Sequence, residues 1–76
     1  DRRYFHQFVK AIFLHRRKFL RANVVSAMKR HLTKEEVDAI LHEMQLSPEA
    51  RTEQLDVATL LRLTEWVRAQ APDWKL

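Results

Sequence analysis

From Tyr4 to Phe13 the large apolar residues fall in adjacent pairs four apart, Tyr4-Phe5, Phe8-Val9 and Ile12-Phe13. This spacing predicts one face of an amphipathic helix. Continued unbroken, the helix would put Arg16 in the middle of the apolar stripe that Leu20 extends, a costly place for an unpartnered charge. A kink or break is expected near Leu14 to Arg17. A second helix then carries Leu20, Val24, Ala27 and Met28 inward and finishes near His31.

Thr33-Lys34-Glu35-Glu36 has the form of a capping box opening a third helix, whose inward positions are Val37, Ile40, Leu41 and Met44. Ser47-Pro48 reads as another, short helix start, with proline where its missing donor costs nothing. Asp56 caps a last helix with Val57, Leu60, Leu61, Thr64 and Val67 as its buried stripe, until Ala71-Pro72 stops it. No segment alternates with period two. The expected fold is all-α, a small bundle of four to five short helices without a sheet. It forms one domain over residues 1–71, and 72–76 are a frayed or lightly docked tail.

Composition narrows the chemistry. The 76 residues suffice for one domain with a modest core. No glycine is present, which argues against a phosphate-cradling loop, a dinucleotide fingerprint or a nucleophile elbow. Without cysteine there is no disulfide framework and no thiolate metal site. His6, His15, His31 and His42 are scattered, so no metal site is expected. No apolar run approaches the length needed to cross a bilayer, and the expectation is a cytoplasmic protein with no membrane partner.

Charge is distributed unevenly. Ten Arg or Lys stand against one acid from Asp1 to Lys34, a net +9, and four against nine from Glu35 to Leu76, a net −5. The basic half is the candidate nucleic-acid face. Within it, Phe13-Leu14-His15-Arg16-Arg17-Lys18-Phe19-Leu20-Arg21-Ala22-Asn23 threads cations through large apolar residues that anchor them to a core. On a helical projection Arg3, Lys10, Arg17 and Arg21 share a narrow sector suited to one strand of phosphates. Lys18 and His15 complete the candidate RNA-binding set. Arg16, placed over the apolar stripe, is expected to need an acid partner, with Glu53 the first choice. The aromatic residues Tyr4, Phe5, Phe8, Phe13 and Phe19 fall at helical spacing and are assigned to the core. Trp66 borders the last stripe, and Trp74 either covers the core's end or meets another domain.

The basic segment resembles a Phe-x-x-Arg-Arg-Lys-x-Leu-Arg signature near the C-terminus of the small-subunit ribosomal RNA adenine dimethyltransferases, the KsgA-type enzymes. Leu46-Ser47-Pro48-Glu49-Ala50-Arg51-Thr52-Glu53-Gln54-Leu55 is similar to that family's Ile-Asp-Pro-x-x-Arg-x-Glu-x-Leu segment, in the same order along the chain. Phe8-Val9-Lys10-Ala11 extends the likeness upstream. Gln45 stands where the family commonly has glycine, and Ala22 where asparagine is common.

The resemblance implies an excised C-terminal RNA-docking domain. Its parent would carry S-adenosylmethionine in an N-terminal Rossmann-like catalytic domain absent from this chain, and no catalytic residue or cofactor site is assigned here. The implied partners are that catalytic domain and small-subunit ribosomal RNA in the pre-30S particle, whose two adjacent adenines receive the methyl groups. Arg51 and Glu53 resemble a paired family position, and with Arg16 they form the expected structural ion-pair group. Two other readings stay open. One is a helical DNA-binding domain, or a relative of the mitochondrial transcription factors that look like these methyltransferases. The other is a non-catalytic scaffold whose cations are spent on internal ion pairs.

Overall fold

The computed structural model describes residues 2–75. Among them the chain is all-helical, with α1 at Arg2–Phe13, α2 at Leu20–Ala27, α3 at Lys34–Glu43, a single 3₁₀ turn at Thr52–Gln54 and α4 at Val57–Gln70. α1 packs on both α2 and α4, and α3 closes the bundle against the same two helices. Phe8, Ile12, Leu20, Val24, Met28, Val37, Ile40, Leu63 and Val67 form the sealed centre. Each such side chain contributes about 1.5 to 3 kcal/mol through removal of its apolar area from water.

α1 stops at Phe13, and residues 14–18 form turns. The break spares Arg16 from the core and lets Leu20 enter it fully. Phe19 supplies no side-chain cap to α2. Instead it lies extended, bridged antiparallel to Arg51, and the Leu20 amide donates to the Ala50 carbonyl at 2.6 Å. A tertiary hydrogen bond thus satisfies a donor that helix starts normally leave to a side chain. α2 ends at Ala27, one turn before the expected His31, and turns at 28–31 lead on to Leu32.

The capping box on α3 is complete. The Glu36 amide donates to Thr33 Oγ1 at 3.1 Å, and the Thr33 amide to Glu36 Oε1 at 2.8 Å. Val37, Ile40, Leu41 and Met44 are all buried. The helix closes with Gln45 at φ 57°, the Gln45 amide donating to His42 and the Leu46 amide to Leu41. These two bonds and the left-handed residue are a Schellman motif, in which glycine is the usual occupant.

Two expectations are corrected here, and a third is decided between its alternatives. Ser47-Pro48 starts no helix: the Ser47 hydroxyl accepts from the Glu49 amide and its carbonyl from Ala50, giving a turn that leads into the 3₁₀ segment. In α4 the buried stripe is Leu60, Leu63, Thr64 and Val67, while Val57 and Leu61 are 66% and 47% exposed. The helix is rotated so that Leu63 replaces both. Finally, the C-terminal segment is docked. Trp74 is only 5% exposed, packs edge-on against Tyr4 and Phe8, and donates from Nε1 to the Ala27 carbonyl at 2.9 Å. Trp74 thus covers the core's end, the first of the two roles considered for it, and the tail is docked there.

Candidate nucleic-acid interface

The basic turn between α1 and α2 is a folded surface held by backbone contacts. The Lys18 amide donates to the His15 carbonyl at 2.9 Å, so His15 to Lys18 close on themselves. Asn23, buried on α2, donates from Nδ2 to that same carbonyl at 3.0 Å and to Thr52 Oγ1 at 2.9 Å. One amide thereby ties the basic turn, α2 and the 3₁₀ turn together. Its burial was not foreseen in the sequence, where a polar residue between Leu20 and Val24 carries no periodic signal.

Outward from this frame, His15, Arg16, Arg17 and Lys18 are all exposed, with Leu14 beside them at 65% exposure. With Leu14 they line a shallow depression of about 340 Å³. Arg51 joins the same surface. Its guanidinium lies 5.4 Å from the centre of the Phe19 ring, whose edge is open to solvent. Such stacking holds a charge in place without neutralising it. Between Leu14 and Lys34 the sequence contains no acid.

The expected ion pair of Arg16 with Glu53 is not formed. Among the described residues, ion pairs join Arg21 to Asp38 and Arg68 to Glu65. Arg16 and Glu53 are exposed, because the break after Phe13 removes Arg16 from the apolar stripe that would have required a partner. Arg51 uses Phe19 instead of Glu53. Gln54, not Glu53, caps the 3₁₀ turn, its Oε1 accepting from the Arg51 amide at 2.8 Å.

Arg21 also differs from expectation. Packing of α2 on α3 sets it beside Asp38, to which Nε and Nη2 donate as a fork. The hydrogen bond raises the guanidinium's pKa further and holds the Asp38 carboxyl below its ordinary value. Arg3 and Lys10 are exposed on α1, and since α1 ends at Phe13 their helical sector does not continue to Arg17 and Arg21. The cations that share one depression are therefore Arg16, Arg17 and Lys18, with His15 beside them, and Arg51 stands against Phe19, the next residue along the chain.

No protein-family model, curated protein or solved structure matches the chain. Among the described residues, no helix is long and apolar enough to cross a membrane, and no three His, Asp or Glu side chains gather as a metal site would require. Neighbouring cations on a hydrogen-bonded, acid-free turn are equipped to hold phosphate oxygens, with the arginine forks adding geometry to charge.

Proposed function

We propose that this chain is an RNA-docking domain, the C-terminal helical domain of a small-subunit ribosomal RNA adenine dimethyltransferase. The observation that carries this reading is that the two segments bearing the resemblance, residues 13–23 and 46–55, meet in space. They are joined by the Leu20 to Ala50 hydrogen bond, the Asn23 to Thr52 hydrogen bond and the Arg51 to Phe19 stack.

In this role the basic turn and Arg51 grip phosphate and sugar, and RNA shape decides where they settle. The methyl transfer belongs to the parent's Rossmann-like domain with its S-adenosylmethionine, and the setting is the cytoplasmic pre-30S particle. A titration of the chain against a ribosomal RNA hairpin tests the reading. Three to five phosphate contacts give a log-log salt slope of roughly −2 to −4, with affinity lost on Arg17→Ala with Lys18→Ala. Binding that ignores salt or survives that double substitution would exclude it. Preference for duplex DNA over the hairpin would favour a DNA-binding domain.

A further inference from the structure

We infer that the turn following α2 is a second phosphate-contact point, and that the RNA taken by this domain is a helical stem long enough to reach both it and the basic turn. The inference rests on the RNA-docking reading and specifies its ligand.

Lys29 and Arg30 are exposed on the turn at 28–31. Lys75 joins them from the far end of the chain, because the Trp74 indole is pinned to the Ala27 carbonyl. The three cations border a depression of about 280 Å³ whose lining includes His31 and Trp74. Among the described residues none of the three enters an ion pair. This cluster lies outside both segments that carry the family resemblance.

The two cationic points are connected. A depression of about 320 Å³ shares Ser26, Ala27, Trp74 and Lys75 with the second point and extends to Leu14 and His15 at the first. The trough runs beside α2, whose eight residues separate its ends by about 12 Å. Single-strand sites rely on open aromatic rings for base stacking. Here the Trp74 ring lining the trough is buried with its indole N–H already used, and the exposed ring is the small imidazole of His15 at the first point. Charge at two points on the fold, joined by a trough with no exposed Phe, Tyr or Trp ring, fits phosphates whose separation is itself fixed. Helical RNA presents them in that way, and it is recognised by shape and backbone contacts.

The test uses two hairpins with one loop, one on a stem shorter than the roughly 12 Å between the two points and one on a stem that exceeds it, beside an unstructured RNA of the longer hairpin's charge. Lys29→Ala with Arg30→Ala should weaken binding to the long stem about tenfold, flatten its salt slope by about two and leave the short stem unaffected. Lys75→Ala, outside any helix, should weaken the long stem alone about threefold. Parent-like binding of the long stem by these variants would overturn the inference, as would equal affinity for the unstructured RNA. If Arg17→Ala with Lys18→Ala still abolished binding in that case, the docking reading would stand without it. If neither double variant affected RNA binding, both readings would fall.

Discussion

Asn23 and Thr52, 29 residues apart, are joined by a 2.9 Å hydrogen bond in which the buried amide donates to the buried hydroxyl. The same Nδ2 serves the His15 carbonyl. This side chain adds to the Phe19–Arg51 bridge and the Leu20 to Ala50 hydrogen bond in holding the basic turn against the rest of the bundle.

Asn23→Ala should cost roughly 1 to 3 kcal/mol, because it leaves the His15 carbonyl and the Thr52 hydroxyl without this donor. Thr52→Val removes the acceptor at nearly constant shape but strands one Asn23 proton. The double variant should be less destabilised than the sum of the singles, with a coupling of about 0.5 to 3 kcal/mol in denaturant titrations. Strict additivity would show that the bond carries no energy of its own.

Gln45 occupies a left-handed conformation at φ 57° in a chain that has no glycine. That conformation costs a residue with a Cβ roughly 1 to 2 kcal/mol, against about 0.5 to 1 kcal/mol of extra chain entropy lost by glycine. Gln45→Gly should therefore stabilise the domain by about 0.5 to 1 kcal/mol, seen as a raised midpoint of thermal unfolding. A lowered midpoint would mean that the Gln45 side chain makes a compensating contribution.

Tyr4 donates its hydroxyl to the Ala71 carbonyl at 2.8 Å beneath Trp74, and burial pushes its pKa up from 10.0 to about 12. The folded state thus favours the neutral phenol. Its contribution is complete below pH 10 and lost as pH climbs from 10 to about 12. The loss amounts to roughly 3 kcal/mol for a shift of this size. Tyr4→Phe, which keeps the ring, should flatten stability across that window, and an unchanged alkaline slope would assign the loss to other groups.

Much of the fold was legible because local and tertiary signals agreed. The Thr33 capping box, the Asp56 cap and the paired apolar residues of α1 each specify their own element. The Asp56 carboxylate accepts from the Thr59 amide, and hydrogen bonds with Thr59 hold its pKa below the ordinary value. Legibility failed where partners distant in sequence decide. Leu60 with Leu61 and Leu63 with Thr64 admit two rotations of α4, and only packing on α1 and α3 selects Leu63. Trp74 at the chain end admits two roles in the sequence, covering the core or meeting another domain, because its partners Tyr4, Phe8 and Ala27 lie more than forty residues away. At the site, the density of cations was visible, but their division into paired and clustered sets depends on which helix Asp38 faces.

That division yields the sharpest contrast among the arginines. Arg16 is exposed on the basic turn, so Arg16→Ala should melt like the parent and weaken RNA binding, the reverse of what its place in the apolar stripe suggested. Arg21→Ala should change RNA affinity little, because its guanidinium is already engaged by Asp38. Releasing it is the informative step. Asp38→Asn removes the competing charge and should strengthen RNA binding about threefold, with a salt slope steeper by about one contact. Acid acts in the same direction: Arg21 holds the Asp38 carboxyl below its ordinary value, so the pair persists through the usual carboxylate range and opens only as pH falls through that depressed value. Anisotropy titrations of the parent, Arg16→Ala, Arg21→Ala and Asp38→Asn against one hairpin at fixed salt decide the assignment. If Arg21→Ala lost affinity as fully as Arg16→Ala, Arg21 would be exchanging Asp38 for phosphate on binding, and the interface would extend onto α2.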